Sequence, residues 1–378
     1  MAAHVVQETR TIVAPTESET IDTPSMVVDE TILQTNIAEM AALARSMRVA
    51  LRPHVKTHKT PQIARLQLAA GAIGLTCAKL GEAEVMVDRG ADDVLLAYPT
   101  IGTLKIRRLL LLMERTRIIV ALDSREAAEA LSEAMAAEDR VLEVYVEVNT
   151  GQDRAGVLFG DDAVNYALDL ARMPGLRLIG VMTHEGHANA QPRETIEQVA
   201  LDAGRKLVQT AERIRTHGID LPVVSVGSTP AASYTPTVSG VTEMRPGTYV
   251  FRDVSGFRYG IFGADRCAAR ILATVVSHAV PERAIVDAGS KTLALDKTPA
   301  RPGHGYIVGH EQAVIDRLSE EHGVVVLPPE DSGVSVGDRV EIIPNHICPA
   351  VNLMEELIIV NDGRVTDIWP VAARGKIR

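Results

Sequence analysis

From about residue 46 onward, short apolar runs alternate with longer stretches whose apolar residues recur at helical spacing. Residues 48–55 form the first run. The helical pattern after it starts near Pro61, with Thr60 as N-cap and a proline at the first helical position. Run 72–76 leads into helix-like 81–89, run 94–98 into 104–115, and run 117–122 into an alanine-rich helix after Ser124. Run 141–148 precedes 162–172, and run 176–183 precedes a long helix over 194–217. Residues 222–226 and 244–251 supply two more apolar runs, which makes eight strand candidates, most of them separated by helices. Such alternation implies parallel pairing through right-handed crossovers. Eight such units closing on themselves form a (β/α)₈ barrel, and an open, doubly wound sheet is the alternative topology.

After about Gly256 the pattern changes. Runs 270–277, 284–288, 323–327, 339–343 and 356–360 are short, β-branched and bounded by turns. The expected organisation is therefore a barrel over 31–256 and a β-rich domain over 257–378. Residues 1–30 form an N-terminal segment whose run 23–29 is a strand candidate that pairs with the β domain.

Composition narrows the function. A chain of 378 residues exceeds what one core usually serves. Aromatic residues are only 3%, so the core must come from Ala, Val, Leu and Ile. A net charge of −10 argues against nucleic-acid and anionic-membrane partners. No apolar run approaches the ~20 residues of a membrane span, and residues 1–19 lack the order of a signal peptide. Cys77, Cys267 and Cys348 are odd in number and widely spaced, so no disulfide framework is expected. The expectation is a cytoplasmic protein whose partner is a small molecule.

The densest chemistry is Arg52-Pro53-His54-Val55-Lys56-Thr57-His58-Lys59, at the end of the first barrel strand. In a strand His54, Lys56 and His58 would share one face, at the C-terminal mouth where barrel enzymes place catalysis. A solvated basic loop is the bland reading, but lysine is also the side chain that forms a Schiff base with an aldehyde cofactor. Val226-Gly227-Ser228-Thr229-Pro230 follows the seventh strand and offers backbone N–H groups and two hydroxyls to a phosphate. Thr183-His184-Glu185-Gly186-His187 ends the sixth strand. Its spacing differs from the zinc-peptidase His-Glu-x-x-His, which leaves a metal site, an acid–base pair or a ring-stacking platform. Glu243 to Tyr249 offers a cation, Arg245, and a phenol, Tyr249, after the eighth strand. In the β domain, His346 and Cys348 sit two apart and, on a strand, would point the same way as an imidazole–thiolate pair suited to zinc. A packed histidine beside an inert thiol is the competing reading.

In this order the motifs resemble the fold-type III pyridoxal-phosphate family that includes alanine racemase, and most of all its D-serine dehydratase and D-threonine aldolase branch. The resemblance runs from Thr23-Pro24-Ser25 to the end of the chain. It implies pyridoxal 5'-phosphate on Lys56, not Lys59, with Gly227, Ser228, Thr229 and Tyr249 at the phosphate. It further implies Arg154 near the cofactor's phenolic oxygen, His184 against the pyridine face and Arg245 at the pyridine nitrogen. His346 and Cys348 would hold a divalent metal, zinc first, with manganese or magnesium as alternatives. The implied reaction is dehydration of a small D-β-hydroxy amino acid, in which the metal engages the β-hydroxyl and Lys56 takes the α-proton. D-threonine aldolase activity is the alternative, with His54, His58 or His187 as base, and a racemase is the second alternative. The family also implies a homodimer.

Overall fold

The computed structural model describes residues 10–190, 193–258, 262–298, 301–328 and 333–378. Two compact units emerge. One contains residues 39–56, 63–247 and 375–378, and the other contains 1–38, 57–62 and 248–374.

The first unit is the (β/α)₈ barrel. Its strands are Ala50–Leu51, Leu75–Cys77, Asp93–Leu96, Arg117–Leu122, Leu142–Asn149, Leu176–Met182, Val223–Val226 and Glu243–Met244. All pair in parallel and in chain order. The last strand pairs with the first, and a parallel bridge between His54 and Thr76 joins the first to the second. The ring therefore closes, and the open sheet is excluded. Helices such as Leu80–Val87, Thr103–Met113, Arg125–Ala137 and Arg193–Arg215 follow their strands as the periodicity predicts. The first and eighth strands fall furthest short of the expected runs, at two residues each. Arg48 adopts a left-handed φ of +57° before the first strand, and Pro53 has no N–H to continue the ladder after it. Pro246 cuts the eighth strand in the same way, and the expected 244–251 run passes instead into a 3₁₀ turn at Thr248–Val250.

The barrel interior is not uniformly apolar. Leu95, Ile119, Ala121 and Tyr145 pack there as a buried cluster. Beside Tyr145 runs a polar chain that the alternation of strand side chains lines up. Arg52, 1% exposed, donates from Nε to Glu243 at 2.8 Å and also pairs with Asp93. Glu243 accepts from the Ser225 hydroxyl at 2.5 Å, and Arg245 donates to that same hydroxyl. Burial works against the charge on Arg52, but Glu243 and Asp93 outweigh it and raise the pKa. Gly74 leaves room for this guanidinium, because a Cβ there would stand 2.4 Å from its Nη1. Removing one partner of such a buried pair strands the other charge. Glu243→Ala should therefore cost about 3–5 kcal/mol, measured as a lower urea midpoint, and Glu243→Gln, which keeps an acceptor, should cost less.

The second unit is a mixed, largely antiparallel sheet. The expected run 23–29 becomes strand Ser25–Asp29, antiparallel to Ala269–Val280 and parallel to Glu356–Asn361. Arg339–Ile343 also pairs with Ala269–Val280. A buried ion pair, Arg270 with Glu341 at 2.7 Å, ties these strands together, and Glu341 accepts the backbone N–H groups of Ile12 and Val13. That contact is why the N-terminal segment packs with this sheet. All three cysteines are free. Among the described residues, no helix is long and apolar enough to cross a membrane.

Candidate functional site

The basic octamer does not lie on a strand. Beyond Leu51 the chain turns through the 3₁₀ helix Val55–Thr57, so His54, Lys56 and His58 do not share one strand face as the alternation suggested. His54 and Lys56 are half-buried. The Lys56 backbone N–H donates to His54 Nδ1 at 3.3 Å. His58 is fully buried in a local turn, where its Nδ1 accepts the Thr60 N–H at 3.1 Å and its carbonyl accepts the Thr60 hydroxyl at 2.7 Å. Lys59 is buried with a left-handed φ of +54°, and its carbonyl accepts the Ala373 N–H at 3.0 Å. The motif thus separates a half-buried lysine from a buried one.

The sixth, seventh and eighth strand ends converge on Gly227. His184 Nδ1 donates to the Gly227 carbonyl at 2.5 Å, and Glu185 Oε2 accepts the Gly227 N–H at 3.0 Å. A Cβ on Gly227 would stand 3.0 Å from that of Arg245, so any side chain there would press on Arg245. Burial, reinforced by the charge of Lys56, pushes the His184 pKa down to about 3, against the pull of the Gly227 carbonyl. The ring is therefore neutral at ordinary pH. Burial raises the Glu185 carboxyl, and its hydrogen bonds around Gly227 oppose the shift. After Gly227, the Ser228 hydroxyl accepts the Ala231 N–H at 3.3 Å, and the Thr229 hydroxyl is buried without a partner. A buried hydroxyl in that state calls for a ligand atom, and a phosphate oxygen at a strand-end turn supplies one.

Arg245 is buried and donates to the Thr183 carbonyl at 2.6 Å as well as to Ser225. Burial lowers its pKa, opposed by Glu243, Glu185 and Glu147, and a guanidinium so surrounded stays charged. Arg154 is exposed on a loop whose backbone Asn149 holds, its Oδ1 accepting the N–H groups of Gly151 at 3.0 Å and Asp153 at 3.2 Å. The charge of Arg154 reaches both His184 and Glu147. His187 has a buried Nδ1 without a partner, and burial lowers its pKa.

In the β-rich unit, Tyr249 is 2% exposed. His346 and Cys348 are not on a strand either. His346 is the N-cap, with extended backbone, of the helix Ile347–Leu353, and Cys348 lies in its first turn. Pro349 is tolerated there because first-turn N–H groups have no helical partner. The two side chains still lie near enough for Cys348 to act on the imidazole, whose Nδ1 lies 2.8 Å from Asp296 Oδ1. Burial opposes the charge on His346, but Cys348 and Asp296 raise its pKa to about 10. The thiol also reaches the Thr57 hydroxyl at 3.3 Å. Among the described residues no set of three or more His, Cys, Asp or Glu is poised around one metal. Two donors with open positions suit a catalytic ion rather than a structural one.

Sequence reasoning missed Arg52 as part of an interior network, along with Ser225, Glu243, Glu185, Asp253 and Asp296. Polar residues at alternate positions within apolar runs, Ser225 with Gly227 and Glu243 with Arg245, carried a signal for the interior ones. Nothing local pointed to Asp296.

A family model described as "Alanine racemase, N-terminal domain" matches residues 28–254, and a model for a serine dehydratase domain matches 268–360. The chain is 34% identical to D-threonine aldolase of Arthrobacter sp. over 366 residues, covering 94% of this chain and 93% of that protein. It is also 34% identical to D-threo-3-hydroxyaspartate dehydratase of Delftia sp. over 349 residues, covering 87% and 91%. Among solved structures, D-threonine aldolase of Filomicrobium marinum superposes with a TM-score of 0.89 at 33% identity, covering 95% of this chain and 96% of that one. A cysteine-to-alanine variant of D-threo-3-hydroxyaspartate dehydratase, in its metal-free form, gives 0.87 at 32% identity, covering 94% and 98%.

Proposed function

This chain belongs to the alanine racemase N-terminal-domain family, and we propose that it is a pyridoxal-phosphate- and divalent-metal-dependent lyase of small D-β-hydroxy amino acids, with dehydration as its main reaction. The observation that carries this reading is the pairing of the His346 imidazole with the Cys348 thiol, with His346 Nδ1 already engaged by Asp296. A racemase has no use for such a donor pair.

Pyridoxal phosphate, when bound, supplies an aldehyde for the substrate amine and a ring that takes up electron density from Cα. Lys56 would hold it covalently and serve as the base for the α-proton. The Thr229 hydroxyl, the Ser228 hydroxyl and the turn after Gly227 would hold the phosphate, with Tyr249 as a further donor. His184 would present a flat, neutral ring, and Arg245 a permanent cation fixed by Thr183 and Ser225. Arg154 would face the phenolic oxygen. A divalent ion on His346 and Cys348 supplies a Lewis acid for the β-hydroxyl. Thiolate with imidazole favours zinc, whereas manganese and magnesium prefer oxygen donors. A homodimer belongs to the same reading, and light scattering checks it.

The 34% identity to a D-threonine aldolase favours a second reading, retro-aldol cleavage. There the substrate hydroxyl must lose a proton to a base. His54 and His58 are candidates, and His187 is another, being unprotonated near neutrality.

Product analysis separates the two. The holoenzyme should convert D-serine to pyruvate and D-threonine to 2-oxobutanoate, leaving the L-enantiomers untouched. Glycine plus an aldehyde would replace dehydration with cleavage, and comparable turnover of L-serine would refute the stereochemical assignment.

A further inference from the structure

We infer that Asp296 is a positioning residue of the metal site: it accepts the Nδ1–H of His346 and leaves Nε2 as the nitrogen that binds the ion. This rests on the reading of His346 and Cys348 as metal ligands. A neutral imidazole carries its proton on one nitrogen and its lone pair on the other. The 2.8 Å contact with Asp296 Oδ1 keeps a proton on Nδ1, so Nε2 is the nitrogen that gives up its proton to an incoming ion. A carboxylate behind a ligating histidine also makes the free nitrogen more basic.

The surroundings hold this arrangement from three sides. Asn345, one residue before His346, donates through Nδ2 to the Asp296 carbonyl at 3.0 Å and to the Gly303 carbonyl at 2.8 Å. The Asp296 segment is thereby stapled to the ligand it orients. The Ser255 hydroxyl donates to the Asn345 carbonyl at 3.0 Å. Asp253 accepts the Ile347 N–H through Oδ2 at 3.1 Å, which fixes the peptide between the two ligands. Its other oxygen accepts the Ser255 N–H at 3.1 Å, so this buried carboxylate serves the backbone rather than the ion.

The competing explanation is an ordinary surface ion pair, since both side chains are about two-fifths exposed, at 43% and 42%. Such pairs contribute little, and breaking one would leave metal affinity unchanged.

The test uses the pyridoxal-phosphate-loaded enzyme stripped of metal by a chelator and titrated with zinc against a chromophoric competitor. Wild type should bind one equivalent. Asp296→Ala should weaken zinc binding about 10- to 100-fold. Asp296→Asn, which keeps a neutral acceptor, should fall between it and wild type. The cofactor absorbance and the thermal midpoint of the metal-free protein should not move. With cobalt(II), the thiolate charge-transfer band should persist in Asp296→Ala and vanish in Cys348→Ala. Wild-type zinc affinity in both Asp296 variants, while His346→Ala loses binding, would overturn the inference and leave the parent reading intact. A loss in Asp296→Ala as large as in His346→Ala would make Asp296 a ligand and likewise overturn it. Failure of the wild type to bind zinc would remove the parent reading and the inference together.

Discussion

Replacing Lys56 with alanine is expected to lower turnover of the D-β-hydroxy amino acid by at least roughly 10⁴-fold, the upper end of what a positioned acid–base group contributes. The loss should be this large because the proposed mechanism gives one side chain two duties, covalent attachment of the cofactor and removal of the α-proton. The neighbouring lysine should not substitute for it. Lys59 is buried in a left-handed turn with its carbonyl held by the Ala373 N–H, whereas Lys56 is half-buried and places its charge on His184. Borohydride reduction of the holoenzyme followed by peptide mapping should put the pyridoxyl label on Lys56. A label on Lys59 would shift the register of the whole site. Lys56→Ala should also lose the cofactor's visible absorbance while keeping the far-ultraviolet circular dichroism of a folded barrel. An external amine such as methylamine should restore part of the rate if the missing group is a base.

Much of this architecture can be read from the sequence, for a physical reason. Barrel strands buried on both faces write themselves as continuous apolar runs. Run 117–122 and strand Arg117–Leu122 accordingly agree residue for residue, as do run 339–343 and Arg339–Ile343 in the sheet unit. The errors collect where a proline interrupts a run. Pro53, Pro246 and Pro349 each convert an expected strand into a turn or a helix start, and all three places carry site residues. Period-two reasoning therefore named Lys56, His346 and Cys348 while misplacing them on strands. The partners that orient them were illegible for another reason. Asp296 lies 50 positions from His346, and Glu185 meets Gly227 across 42. Only the closed fold brings such pairs together. Edge strands were also missed. Arg364–Pro370 is mostly exposed, and Val314–Leu318 buries only Ile315 fully, so neither shows the apolar run that marked the central strands.

Stripping the metal is expected to abolish turnover while the cofactor absorbance persists, because in the proposed mechanism the ion acts on the β-hydroxyl and takes no part in holding the cofactor. A Lewis acid at a leaving oxygen contributes several kcal/mol, which corresponds to a loss of ~10²-fold or more. Cys348→Ala should reproduce that loss without chelation. The opposing account is that Cys348 is a small, partly buried hydrophobe, and on that account chelation and substitution would both be harmless. Cys348→Asp discriminates further. It keeps an anionic donor at the same position but replaces a soft sulfur with a hard oxygen, which moves preference from zinc toward manganese and magnesium. Activity restored in Cys348→Asp by manganese better than by zinc would tie the residue directly to the ion. The same variant bears on the chemistry, since a change in the ratio of glycine to 2-oxo acid would show that this ligand helps choose between cleavage and dehydration. Full activity in metal-free protein would remove the lyase mechanism and return the barrel to racemisation, for which the His346–Cys348 pair has no use.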